Sequence, residues 1–183
     1  MRVIAGIAKS LRLEAPEGLD TRPTQDRIKE TLFNMIAPGL GDCIFVDLFS
    51  GSGSIGIEAL SRGAKKCYFV EQGVPASVCI TKNLQFTKLV DKATVLKMDA
   101  VSSLHHIYEK EVDVIFMDPP YNMEHEKAVL TVLSGVKYVT DDTMIIVEAS
   151  LDTQFDYLED LGFEIYKTKK YKTNQHVFIR RVI

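Results

Sequence analysis

From residue 43 onward the chain alternates between short apolar runs and amphipathic stretches. The runs at 44–48, 67–71, 93–97, 112–117 and 143–149 are nearly continuous in apolar residues, as expected of strands covered on both faces. The segments between them are mostly long enough to cross over and carry helical patterns, so these strands are predicted to be parallel. The clearest helix is 124–137, with Val129, Val132, Leu133 and Val136 on one side; another is expected around 152–161. After Gly162 the pattern changes. Residues 163–170 and 176–182 are strand-like and separated by little more than Thr173-Asn174, so they form an antiparallel hairpin.

The N-terminal part reads differently. Residues 2–7 and 10–14, with Leu11 and Leu13 alternating, suggest a small hairpin. A turn-rich stretch, Ala15-Pro16-Glu17-Gly18 running to Arg22-Pro23, then precedes a helix opened by Pro23-Thr24. Ile28, Leu32, Met35 and Ile36 form its apolar face, and Pro38-Gly39 stops it. The expected organisation is an arm over 1–40 on the substrate side and an α/β domain over 41–183.

Composition narrows the class. With 183 residues, 46% hydrophobic, 26% charged and a net charge of −3, the chain has the make-up of a soluble globular protein. Cys43, Cys67 and Cys79 lie in or beside apolar runs without Cys-x-x-Cys spacing, which predicts small buried residues in a reducing compartment. No stretch reaches the roughly 18 apolar residues of a membrane span, and a cytoplasmic monomer is expected.

Chemistry concentrates at strand ends. Asp47-Leu48-Phe49-Ser50-Gly51-Ser52-Gly53-Ser54-Ile55-Gly56 passes from the first strand into a helix and fits G-x-G-x-x-G, a loop that brings bare backbone to a ligand. Glu71, twenty residues after Gly51, stands where a carboxylate accepts from an adenosine ribose. Asp47 places negative charge where a dinucleotide's pyrophosphate would lie, which favours a cationic ligand such as S-adenosylmethionine. Asp99, followed by Ala100, suits an adenine amino group or a helix N-cap. The sharpest signal is Asp118-Pro119-Pro120-Tyr121 at the end of the fourth strand. The prolines fix an extended corner. The Asp118 carboxylate and the Pro119 carbonyl can accept both hydrogens of an exocyclic amine, and Tyr121 can stack on the base. The four histidines form no ligand set with the cysteines; His105, His106, His125 and His176 are read as surface or packing residues, and no metal is called for.

Together, Asp47–Gly56 with Glu71, Asp99 and Asp118–Tyr121 resemble class I S-adenosylmethionine-dependent methyltransferases acting on exocyclic amines. Met1–Gly6, Arg22–Asn34, Leu48–Gly53 and Glu58–Ala64 resemble the RsmD family, bacterial enzymes that methylate guanine N2 in small-subunit ribosomal RNA. The resemblance spans nearly the whole chain. It departs where a family glycine is absent near Lys9-Ser10-Leu11-Arg12, and where Lys172 replaces glycine in Tyr171-Lys172-Thr173-Asn174. It implies a Rossmann-like, seven-stranded, mostly parallel sheet with an antiparallel C-terminal hairpin. It further implies catalysis by Asp118, Pro119, Pro120 and Tyr121, and cofactor contacts from Asp47, Phe49, Gly51, Ser52, Gly53, Glu71, Asp99, Ala100 and Asp118. Lys9, Arg12, Arg22, Thr24, Arg27, Lys170 and Lys172 are candidates for contacts to ribosomal RNA or a small-subunit particle.

Asp-Pro-Pro-Tyr also occurs in DNA adenine methyltransferases, and an Asn variant in enzymes acting on protein glutamine, so those acceptors stay open. An NAD-dependent oxidoreductase is opposed by Asp47. The net charge conceals a division: residues 1–30 carry +1, 31–163 carry −9 and 164–183 carry +5. An RNA surface confined to one face is compatible with that distribution.

Overall fold

The apolar runs become one sheet. The computed structural model describes residues 1–16, 23–121 and 123–182, and among these the strands are β1 (Ile44–Leu48), β2 (Lys66–Val70), β3 (Ala93–Leu96), β4 (Val114–Met117), β5 (Met144–Ser150), β6 (Phe163–Lys170) and β7 (Asn174–Arg181). Their order is β3-β2-β1-β4-β5-β7-β6. The first five pair in parallel, and β7 runs antiparallel between β5 and β6. The helices are α1 (Pro23–Ile36), α2 (Ser54–Ser61), α3 (Val74–Thr87), α4 (Ala100–Ser103) and α5 (His125–Leu133). The chain winds outward from β1 to β3 and then returns to β4, so the strand order reverses between β1 and β4. Open α/β sheets bind ligands outside the carboxyl ends of the strands at such a switch.

Side-chain alternation divides the interior. Phe45, Phe116, Ile146 and Phe178 point to one face and pack with Leu32, Phe33 and Ile36 of α1, Ile57 and Leu60 of α2, and Ile80 and Leu84 of α3. Val46, Leu48, Ile115, Met117, Ile145 and Val147 point to the other and pack with Val129, Leu130 and Leu133 of α5. Cys43, Cys67 and Cys79 are free and buried, as expected.

Three expected elements differ. The helix expected over 124–137 ends at Leu133, where Gly135 N–H and Val136 N–H turn back to the carbonyls of Val132 and Leu133. The stretch 152–161 forms tight turns and a single 3-10 turn, Glu159–Leu161. Its apolar residues Phe155, Leu158 and Leu161, spaced i, i+3, i+6, reach the core from this stretch, which produces a helix-like spacing without a helix. The N-terminal hairpin forms but is shorter than expected: Arg2 and Arg12 bridge antiparallel, Val3 N–H and Leu13 N–H donate to the Leu11 and Met1 carbonyls, and Ser10 N–H donates to the Val3 carbonyl.

It stops there because the donors between the paired segments, at Ile4, Ala5, Ile7 and Ala8, are taken by α2. Glu58, fully buried, accepts from Ile4 N–H at 2.8 Å and Ala5 N–H at 3.0 Å. Ser61 takes Ile7 N–H on its carbonyl and Ala8 N–H on its hydroxyl. Glu58 also pairs with Arg62 at 2.8 Å and with Lys29 of α1 at 3.5 Å. Asn83 of α3 ties down the arm's far end, accepting from Glu14 N–H and donating to the Glu14 and Ser52 carbonyls. Removing one partner of a buried ion pair costs about 3–5 kcal/mol. Glu58→Ala is therefore expected to lower stability on that scale in urea unfolding and to accelerate amide exchange at Ile4 and Ala5; exchange unchanged at those two amides would contradict the clamp.

Candidate active site

The site is built on the turn that leaves β1. Phe49, Gly51 and Gly53 have φ of 61°, 56° and 79°, so the chain reverses within five residues. The strain of a left-handed conformation falls on Phe49 alone. Ser50 fixes the turn by donating to the Asp47 carbonyl at 2.6 Å and accepting from Val70 N–H at 2.9 Å. Gly56 sets the height of α2 over β2: a Cβ there would lie 2.4 Å from Phe69 Cε1 and 2.7 Å from Cys67 Sγ. The third glycine is thus a packing residue.

Two cavities open on this turn. The first, about 660 Å³, is lined by Phe49, Val70, Glu71, Met98, Asp99, Ala100, Val101, Pro119, Pro120, Tyr121 and His125, with Asp118 at its edge. Glu71 accepts from Gly51 N–H at 2.9 Å on one oxygen and from Gly73 N–H at 2.7 Å on the other. Each oxygen keeps a lone pair for a ligand. Asp99 caps α4 by accepting from Ser102 N–H at 2.9 Å, and that bond holds its carboxyl below the usual range. The second cavity, about 320 Å³, is lined by Met1, Lys29, Asp47, Ser50, Gly51, Ser52, Ser54, Phe116, Glu148 and His176 among others. The two cavities share Phe49 and Asp118. Gly53 lies beneath the loop and lines neither.

Strand parity explains the acidic character of the second cavity. Asp47, Phe116, Ile146 and Phe178 occupy same-face positions on neighbouring strands, so Asp118 follows Phe116 and Glu148 follows Ile146 onto that face. His176 lies directly opposite Glu148 in the β5–β7 ladder. Asp47 is buried, accepts from Gly56 N–H at 3.0 Å, and is pushed by burial up to about 7. Asp118 is accessible from the cavities yet otherwise walled in by protein. Burial, then Glu148, then Asp47 hold its carboxyl well above the usual range. Burial also lowers the Lys29 ammonium, which donates to the Arg2 carbonyl at 2.6 Å and Ser54 Oγ at 2.9 Å.

Sequence reading missed Lys29, Glu148 and His176. Glu148 carried no motif. His176, expected at the surface or in packing, is buried, contacts Glu148 at 3.1 Å and Tyr171 at 3.1 Å, and also borders the second cavity. His125 lines the first cavity 5.9 Å from the Phe49 ring. Lys9, Arg12, Arg27, Lys170 and Lys172 are exposed and line neither cavity. Arg22 lies outside the described residues, and for Thr24 only the backbone, in the first turn of α1, is described.

A seven-stranded sheet with β7 reversed between β5 and β6, and a glycine loop with acidic strand ends at its switch point, define a class I Rossmann-like methyltransferase. Known proteins agree. The family described as Conserved hypothetical protein 95 matches residues 1–180. Ribosomal RNA small subunit methyltransferase D of Haemophilus influenzae is 34% identical over 154 residues, covering 83% of this chain and 80% of its own. Its Escherichia coli namesake is 33% identical over 152 residues, covering 83% and 76%. The solved structure of the Escherichia coli protein yhhF superposes with a TM-score of 0.83 at 29% identity, covering 100% of this chain and 98% of that one. The chain belongs to the RsmD family of methyltransferases.

Asp47 supplies a pH test. Its proton leaves near 3.8 in the unfolded chain and near 7 in the fold. Between those values the native state holds the extra proton, so this group lowers stability as pH rises through the window and has no further effect above it. Asp47→Asn keeps an acceptor for Gly56 N–H and removes the titration. Its urea-unfolding stability relative to wild type is expected to increase from about pH 5 to about pH 8; a constant difference would refute the assignment.

Proposed function

We propose that this protein transfers a methyl group from S-adenosylmethionine to the exocyclic N2 amine of a guanine in small-subunit ribosomal RNA, as free RNA or within a subunit particle. The observation that carries this reading is the meeting of the two cavities at Asp118, at the head of Asp118-Pro119-Pro120-Tyr121. Membership of a family whose curated relatives are named ribosomal RNA small subunit methyltransferase D supports the substrate class.

The residues present fit the cofactor. The first cavity offers apolar walls from Phe49, Val70, Met98, Ala100 and Val101, with Glu71 and Asp99 as carboxylates for a ribose and an adenine amino group. Asp47, Gly51 and Ser52 face the second cavity, where an amino-acid portion meets backbone and a negative charge. When bound, S-adenosylmethionine supplies an electrophilic methyl group on a sulfonium. A guanine amine is a weak nucleophile because its lone pair is delocalised into the ring. Asp118 and the Pro119 carbonyl accept its two N–H groups and direct the lone pair toward the methyl carbon, so catalysis is mainly positioning. The nitrogen–carbon bond forms as the carbon–sulfur bond breaks. The methylated nitrogen then sheds one proton to Asp118 or to water. A cation in the cleft offsets the repulsion from Glu148 and Asp47, which keeps Asp118 an acceptor.

Tyr121, 44% exposed at the mouth, suits stacking on an extruded base. Lys9, Arg12, Arg22, Thr24, Arg27, Lys170 and Lys172 are assigned to the RNA backbone. Asp118→Ala is expected to lower methyl transfer to unmodified small subunits by about 100-fold or more while retaining S-adenosylhomocysteine binding in calorimetry. The modified base is identified by mass spectrometry of nuclease fragments; transfer that survives the substitution, or a product other than N2-methylguanine, would overturn the reading.

A further inference from the structure

We propose that Glu148 reads the acceptor base, accepting the ring N1–H of guanine beside the amine held by Asp118, and that His176 and Asn174 are positioning residues for it. This inference rests on the guanine reading above and names the residue that selects that base.

Glu148 and Asp118 border the same cavity, and the charge of Glu148 is the strongest charged influence on Asp118. The two carboxylates are held differently. One Glu148 oxygen accepts from Asn174 Nδ2 at 2.6 Å and the other faces His176 Nε2 at 3.1 Å. His176 is itself fixed by Tyr171 Oη at 3.1 Å and by the edge of its ring toward Phe116 at 6.1 Å. Asp118 accepts no hydrogen bond from the described residues. A carboxylate has about four acceptor positions, so Glu148 keeps some for a ligand after its two protein contacts. Its orientation is nevertheless set by cross-strand partners in the β5–β7 ladder.

Such a pair of acceptors suits a ligand edge with adjacent N–H donors. Guanine presents N1–H next to its N2 amine. Adenine presents a ring-nitrogen lone pair next to its amine, which would face the Glu148 carboxylate and leave both groups unpaired. A site built to accept an N–H discriminates strongly against an analogue that lacks it. Asp118 and the Pro119 carbonyl orient an amine of either purine, so they cannot make this distinction; Glu148 can.

The test uses the whole protein and RNA carrying 2-aminopurine at the guanine that wild type modifies; this base keeps the amine, replaces N1–H by a lone pair and lacks the 6-oxo group, so the Glu148 variant is what isolates the N1 contact. Wild type is expected to favour guanine in kcat/KM by about 100-fold or more. Glu148→Gln, whose amide can donate to that lone pair, is expected to reduce the preference to within about tenfold, with S-adenosylhomocysteine binding unchanged by calorimetry. Equal use of both bases by wild type overturns the inference, whatever the variant does, and leaves the guanine reading intact. A variant that loses activity on both bases in the same proportion also overturns it, since that marks a merely structural role. If wild type modifies no guanine in the small subunit, the underlying function fails and the inference with it.

Discussion

The site depends on one electrostatic constraint: three carboxylates, on β1, after β4 and on β5, face the same cleft. Strand parity and register put them there, because residues two apart on neighbouring parallel strands share a face. Like charges in a protein cleft raise one another's pKa unless each is compensated. Asp47 is compensated by Gly56 N–H and by drawing its proton. Glu148 is compensated by Asn174 and His176. Asp118 accepts no hydrogen bond from the described residues, so taking up a proton is its one relief, and its affinity for protons, cations and N–H donors is the result. The chemistry of the cleft follows from which of the three is left without a partner.

The cleft also needs a roof, which comes from the arm and α1. Met1, Pro16 and Lys29 border the second cavity, and they are held there by contacts made elsewhere. Glu58 and Ser61 on α2 capture the arm's amides, and Lys29 reaches from α1 to the Arg2 carbonyl and Ser54. The segment with the weakest strand pairing is therefore fixed by side chains of a helix. That helix begins in the glycine loop, so the glycine turn and the roof share one support.

Legibility in the sequence followed the range of the interactions. The parallel strands and the hairpin were readable because burial on both faces makes an apolar run, and a short connection permits only antiparallel pairing. The glycine loop, Glu71, Asp99 and Asp118–Tyr121 were readable because their chemistry is contiguous or tied to a strand end. Glu148 and His176 were not, since they are 28 residues apart and become a unit only through the β5–β7 register. The 152–161 stretch misled because turns can deliver Phe155, Leu158 and Leu161 to the core at helical spacing. The N-terminal hairpin was readable in kind but not in length, because the partners of Ile4 N–H and Ala5 N–H lie on α2, more than fifty residues away.

The near-neutral total charge follows from a separation of tasks. Under the proposed function, negative charge in the cleft favours a cationic cofactor and a donor-rich base edge, and the same charge repels a phosphate backbone. An RNA chain must therefore approach on surfaces where cations are free of local partners. Lys9, Arg12, Arg27, Lys170 and Lys172 are exposed and form no ion pairs among the described residues. Arg180, by contrast, is held by Glu164 at 2.6 Å. Under the proposed function, the exposed cations take the phosphates and the acidic cleft takes an extruded base. A base that enters must meet the cleft with donors, and this requirement joins backbone binding, base choice and the activation of the amine in one field.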